Sequence, residues 1–133
     1  MIEEINIKTI GKNQFQDITA EVQAAVDKSK LMNGVCYVFV MHTTAGITIN
    51  ENADPAVRSD IIKKLSDIIP PDAGYEHSEG NSDAHIKASM MGFSAVFPVE
   101  AGELVLGEWQ GIYLCEFDGP RERSVLVKLI QGL

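Results

Sequence analysis

Apolar and polar residues alternate through Ile5-Asn6-Ile7-Lys8-Thr9, the period of a strand with one buried face. After a break at Gly11-Lys12-Asn13 the alternation resumes in Gln14-Phe15-Gln16-Asp17-Ile18, and the pair predicts an opening β-hairpin. From Thr19 the period lengthens. Val22, Ala25 and Val26 stand at helical spacing behind a Thr suited to an N-cap, with Glu21 in the first turn and an end near Asn33-Gly34. A β-rich run from Val35 to His42 follows, broken by Thr43-Thr44-Ala45-Gly46 and resumed as Ile47-Thr48-Ile49-Asn50-Glu51, which reads as two strands or one bent at Gly46.

Asp54-Pro55 is a helix start, because an Asp caps open amides and Pro suits the first helical position; Val57, Ile61, Leu65 and Ile68 then recur at helical intervals until Pro70-Pro71. Asp72 to Asp83 is polar, acidic and glycine-containing, a surface loop with room for function. Ser82 or Asp83 is expected to cap a short helix through Ile86 and Met90 to Gly92. The last third predicts strands over Phe93–Val99, Glu103–Phe117 and Arg123–Ile130, with turns at Glu100-Ala101-Gly102 and Asp118-Gly119-Pro120. The fold class is therefore α+β: one domain over residues 1–133, antiparallel sheets with two or three helices packed against them, and no repeat or linker.

Composition narrows the function. A chain of 133 residues, 45% hydrophobic, is large enough to bury a core without disulfides. A net charge of −8 repels nucleic acid and anionic membranes. No apolar run approaches the roughly 20 residues of a spanning helix, and Met1-Ile2-Glu3-Glu4 is acidic where a secretion signal would be basic, so the expected location is the cytoplasm. Cys36 and Cys115 sit in apolar alternating segments without CxxC spacing and are expected to be reduced core residues.

The chain has three histidines, His42, His77 and His85, in its most unusual stretches, and three imidazoles are what a catalytic zinc with one open position takes. Their spacing alone points rather to unconnected polar surface or hydrogen-bonded core residues. Glu51 ends a strand beside the capped helix and is a candidate general base or partner for a histidine. Trp109-Gln110 is expected to interrupt a strand. Alternation puts Arg121 and Arg123 on one side of a strand, a candidate anion clamp of two exposed guanidiniums.

Four ordered motifs carry something more specific: His42-Thr-Thr-Ala-Gly46 with Asn50-Glu51; Gly80-Asn81-Ser-Asp83-Ala-His85-Ile-Lys87; Leu104-Val-Leu-Gly107-Glu-Trp109-Gln110; and Asp118-Gly-Pro-Arg121-Glu-Arg123. Over nearly its whole length the chain resembles the YjbQ-like family, called secondary thiamine-phosphate synthase enzymes. The resemblance implies a homotrimeric α+β domain with a histidine pocket near subunit boundaries, and weak, incidental thiamine-phosphate synthase (transferase) activity beside an uncertain main role. It makes His42, His77 and His85 ligands of a divalent metal such as zinc, or of substrate. Glu51, His77 and Arg121 become catalytic candidates, and Asn81, Gln110, Arg121 and Arg123 substrate-binding ones. Glu108 stands where many relatives carry Thr. No glycine-rich phosphate loop leading into a helix and no Asp-rich magnesium motif accompanies them. Two functions follow: a metal-assisted enzyme on a small phosphorylated metabolite, or a trimeric non-catalytic ligand-binding or scaffold protein.

Overall fold

The computed structural model describes residues 2–132; Met1, part of the acidic N-terminal run, and Leu133 lie outside them. The elements are β1 (Ile2–Lys8), β2 (Gln14–Asp17), α1 (Thr19–Ser29), β3 (Gly34–Val40), β4 (Ala45–Glu51), α2 (Pro55–Ile68), α3 (Ser82–Met91), β5 (Ser94–Glu100), β6 (Glu103–Leu104), β7 (Gln110–Glu116) and β8 (Glu122–Gln131). They form two sheets, ordered β1-β8-β3-β5-β6 and β2-β7-β4, with antiparallel pairing throughout. The described residues form a single α+β domain with three helices. None of those helices is long and apolar enough to cross a membrane.

Alternation located the strands but not all of their partners. β1 and β2 are not a hairpin: β1 lies on β8 in the larger sheet, whereas β2 lies on β7 in the smaller. Likewise, the break at Thr43-Thr44 passes the chain from β3 in one sheet to β4 in the other. Helix α1 ends at Ser29, earlier than expected, with Lys30 in the left-handed region at φ 63°. Its side-chain cap is not Thr19; Asp17 accepts the Thr19 amide, and the Thr19 hydroxyl instead receives the amide of Ile112. Asp54 caps α2 as expected, accepting the Ala56 amide at 2.9 Å ahead of Pro55. The expected strand from Glu103 to Phe117 divides into β6 and β7 around a turn that contains Trp109.

The core has two tiers. In the first, Val22, Ala25 and Val26 of α1 and Ile47, Ile112 and Leu114 of the smaller sheet pack on Cys36, Val38, Phe97, Val125 and Val127 of the larger one. In the second, the opposite face of the smaller sheet, with Phe15, Tyr113, Cys115 and Phe117, meets Leu65 of α2 and Ala84 and Ala88 of α3. β7 is thus covered on both faces, and residues 111–116 are all buried. Burial raises both thiols, Cys36 to about 11 and Cys115 further, keeping them protonated.

Helix α3 reaches the smaller sheet because Gly46 has no side chain: a Cβ there would come within 2.7 Å of the Gly92 carbonyl oxygen and 3.0 Å of Met91 Cβ. Beneath that helix Asp83 is wholly buried, with Lys87 at 3.5 Å and Lys12 at 3.2 Å. Asp83 is therefore an anchor between α3 and the Gly11-Lys12-Asn13 loop, not a helix cap. Together these contacts hold the face of α3 that carries His85 over the crossing from β3 to β4.

Candidate functional site

The three histidines come together. His42, at the end of the chain segment leaving β3, His77, in the loop before α3, and His85, on the first turns of α3, line one polar cavity of about 470 Å³. Arg121, Arg123, Asp118, Asn81, Glu79 and Thr44 complete its wall. The loop is shaped locally. Tyr75 donates its hydroxyl to the Pro70 carbonyl, and Gly80, at φ 75°, closes a turn onto the His77 carbonyl. His77 and His85 then meet edge to face, with ring centroids 5.4 Å apart.

The two arginines have different jobs. Arg123 is only 3% exposed and is paired to the fully buried Glu116 through two contacts, Nε to Oε1 at 2.9 Å and Nη2 to Oε2, while Nη2 also donates to Thr44 Oγ1 at 2.8 Å. The expectation of two exposed arginines fails here because Glu116 lies inside β7 and draws the guanidinium inward. Burial alone would raise the Glu116 carboxyl. Hydrogen bonds from Arg123, Thr9 and the Asp118 amide outweigh it and hold the group below its ordinary value. Arg121 precedes β8 and is exposed; its Nε and Nη2 donate to the carbonyl and carboxylate of Asp118 at 2.8 and 2.9 Å. Asn81 adds its amide to the same carboxylate at 2.9 Å. Partial burial opposes ionisation of Asp118, but those hydrogen bonds and the charges of Arg121 and Arg123 lower its pKa.

His42 has a defined protonation state. The Ser124 amide, which can only donate, points at Nε2 from 2.8 Å, so Nε2 is the acceptor and the neutral ring carries its proton on Nδ1. Desolvation lowers its pKa, and so do the charges of Arg123 and Arg121, against a smaller opposing pull from Glu116. His42 is therefore a neutral N–H donor at the cavity wall. That bears directly on the metal expected from sequence. A metal on Nδ1 would need that proton removed, and one on Nε2 would displace the Ser124 amide. Among the described residues no three His, Cys, Asp or Glu side chains are grouped to hold a metal ion. A three-imidazole zinc set therefore does not fit the residues of a single chain, although the three rings share a cavity.

Glu51 and Gln110 lie elsewhere. They are register partners at one end of β4 and β7, while Ala45 and Glu116, beside the cavity, are partners at the other end. Six residue steps separate the two ends, roughly 20 Å along a strand. Within one chain Glu51 is not placed to serve a cavity histidine: its carboxylate accepts the Asp54 amide and its carbonyl receives the Tyr113 hydroxyl. Gln110 closes its own turn by accepting the Gly107 amide at 2.7 Å. Trp109 is 59% exposed in the turn that divides the expected strand into β6 and β7.

Sequence reasoning missed Glu116, Asp118 and Thr44. Glu116 had a signal: it is the one carboxylate within the apolar run Ile112 to Phe117, and a charge in a buried strand needs a partner.

The model of the family described as UPF0047 protein YjbQ-like matches residues 3–132. The chain belongs to the YjbQ-like (UPF0047) family. Among its relatives, a UPF0047 protein of Methanocaldococcus jannaschii is 49% identical over 98% of this chain and 94% of its own length. The UPF0047 protein YugU of Bacillus subtilis is 44% identical over 98% and 99%. The fold is that of solved family members. A YjbQ/UPF0047 protein of Clostridium acetobutylicum, described as uncharacterized, superposes with a TM-score of 0.94 at 55% identity, covering 96% of this chain and 99% of that one. A YjbQ-like protein of Sulfolobus solfataricus, described as of unknown function, does so at 0.94 and 37% identity, covering 99% and 97%. Membership in the YjbQ-like family thus comes without an assigned activity.

Proposed function

We propose that the histidine cavity binds a small phosphorylated metabolite and that the chain is an enzyme acting on it. The observation that carries this reading is the convergence of three imidazoles and two guanidiniums on one polar space of about 470 Å³. A phosphate is held by directed donors more than by net charge. His42 offers a fixed neutral Nδ1–H, and Arg121 offers the guanidinium hydrogens that Asp118 does not use. Arg123 serves by position: locked to Glu116, it supplies a rigid wall and a local positive field. His77 and His85, with no side-chain hydrogen bond of their own among the described residues, are the groups available to take or give a proton.

Weak thiamine-phosphate synthase chemistry, implied by the family resemblance, fits as a side reaction, since leaving pyrophosphate would meet the same donors. A divalent ion, zinc foremost, enters only as a companion of the ligand: His77 and His85 present two imidazoles side by side, and phosphate oxygens would complete its shell. No step assigned above depends on it. The assembly proposed with this activity is a homotrimer. Its support is the outward side of the larger sheet, where Val35, Tyr37 and Phe39 of β3 lie in register with Pro98, Val96 and Ser94 of β5 and with Ile130, Lys128 and Leu126 of β8, a largely apolar face, with Lys128 and Ser94 as its polar members, left partly or largely exposed.

One observation favours the non-catalytic alternative, a trimeric ligand-binding or scaffold protein. The nearest carboxylate to His77, that of Glu79, stands 3.9 Å away, too far to orient the ring as a base. A panel of small phosphorylated metabolites, screened for turnover with wild type, His77→Ala and His85→Ala, separates the readings. Saturable turnover lost in both variants supports the enzyme; binding without turnover supports the alternative; no binding by any member rejects both.

A further inference from the structure

The buried carboxylate of α3 leads back to the cavity by a route that avoids the histidines. Asp83 takes both of its cations on one oxygen, Oδ2: Lys87 of the same helix at 3.5 Å and Lys12 of the 11–13 loop at 3.2 Å. Lys87 is as buried as Asp83, whereas Lys12 is half-exposed and reaches in from the surface. Lys12 is tied through its backbone as well, its carbonyl accepting the Gly119 amide at 3.2 Å. That approach needs a glycine, because a Cβ at position 119 would overlap the Gly11 carbonyl oxygen. Lys12 thus touches both elements that carry donors to the cavity: α3 through its ammonium, and the turn before β8 through its carbonyl.

Asn81 joins those two elements. It stands at the N-cap of α3, where its carbonyl accepts the amides of Ala84 and His85. Its side chain makes no cap. An Asn here ordinarily closes an open helix amide; this one instead donates to the Asp118 carboxylate that holds Arg121. Asn13 Oδ1, Asn81 Oδ1 and Asp83 Oδ1 are buried without a hydrogen-bond partner among the described residues, and all three belong to this seam. Unpaired buried acceptors lower stability, so the seam is not arranged for stability alone.

We infer that Lys12 is a positioning residue for the proposed phosphate site: by holding Asp83, its ammonium sets the start of α3 where Asn81 reaches Asp118 and Asp118 presents Arg121 to the cavity. The inference rests on the proposed phosphate site and adds a residue outside the cavity wall that governs its affinity. Lys87 cannot take over this task. It lies on the same helix as Asp83, so it satisfies the carboxylate without tying α3 to another element, and only Lys12 makes the charge-assisted contact across the seam.

The test measures methyl phosphate affinity by titration calorimetry and the Asp118 carboxyl titration by ¹³C spectra, on full-length wild type, Lys12→Met, Lys12→Arg, Asn81→Ala and Lys12→Met with Asn81→Ala. Lys12→Met is expected to weaken methyl phosphate about fivefold, and Lys12→Arg to stay within about twofold of wild type. On the Asn81→Ala background Lys12→Met should remove less than about twofold more, because its effect passes through Asn81. The Asp118 midpoint, which the Asn81 and Arg121 bonds help hold below its ordinary value, should rise in Lys12→Met and return in Lys12→Arg. Urea unfolding checks that each variant is folded; if Lys12→Met is not, Lys12→Gln takes its place with the same expectations. Unchanged affinity in Lys12→Met, losses that add in full with Asn81→Ala, or an Asp118 midpoint that does not move would overturn the positioning role and leave the phosphate site standing. Failure of wild type to bind methyl phosphate would remove the phosphate site, and with it the role of Lys12 in positioning it.

Discussion

The two ends of the β4–β7 ladder are built from the same materials and differ in what they leave open. At the Glu51 and Gln110 end, each polar side chain satisfies a nearby backbone amide: Glu51 that of Asp54, Gln110 that of Gly107. Neither residue lines the histidine cavity. At the Ala45 and Glu116 end, polar groups from distant parts of the chain meet. Thr9 and Arg123 satisfy a buried carboxylate and Thr44 accepts from Arg123, while His77, His85 and part of Arg121 face a cavity without using up their donors and acceptors. Local satisfaction marks a structural turn; a rigid buried network beneath unspent side chains marks a site that can hold a ligand.

The largest effect that would break this comparison concerns the buried pair. Arg123→Ala strands the Glu116 carboxylate and is expected to cost about 3–5 kcal/mol in urea unfolding, whereas Arg123→Met with Glu116→Leu should recover most of that loss. Arg121→Ala, removing an exposed pair, should cost no more than about 1 kcal/mol. Similar losses for both arginines would mean that the two are not divided between support and binding.

For binding, His85→Ala is expected to weaken methyl phosphate about tenfold or more, the value of one well-placed hydrogen bond, and Glu51→Gln less than about twofold. An equal loss in both would bring the far end of the ladder into the site, as could happen only across a subunit boundary.

Acidity sharpens the contrast. Glu116 and Asp118 have pKa values lowered by folding from 4.5 and 3.8, so their contribution to stability is complete above that range and is lost as the pH falls through the folded values. His42 is lowered from 6.5, so the unfolded chain takes up its proton first and stability begins to fall once the pH drops below that value. Unfolding free energies from pH 8 to 3 should show both limbs, and His42→Gln, which keeps an acceptor for Ser124, should flatten only the upper one.

Chelation is also expected to have only a small effect. Dialysis against a chelator should change methyl phosphate affinity less than about threefold; complete loss would make the metal a resident part of the site.

Much of this architecture was legible in local pattern. The Asp54-Pro55 start of α2, the strand alternation and the burial of Cys36 and Cys115 follow from short-range chemistry, and so does the break at Thr43-Thr44 between two strands. The pairing of β1 with β8 rather than β2 was not legible, because alternation states which face is buried and not which strand lies alongside. The fate of Arg123 was hidden for the same reason, being decided by Glu116 seven positions earlier on a strand of the other sheet. His42 illustrates a third kind of limit: its place in the cavity followed a motif, but its tautomer is set by the Ser124 amide, 82 residues on.

The central claim is that His42, His77 and His85 form one phosphate-binding cavity in which His42 is a neutral Nδ1–H donor. Imidazole ¹⁵N spectra of histidine-labelled protein at pH 7.5, titrated with methyl phosphate, test it most directly. The expected result is a neutral Nδ1-protonated signal for His42 and saturable shifts of all three rings with one common dissociation constant. Three rings that respond separately or not at all, or a His42 protonated on Nε2, would contradict it.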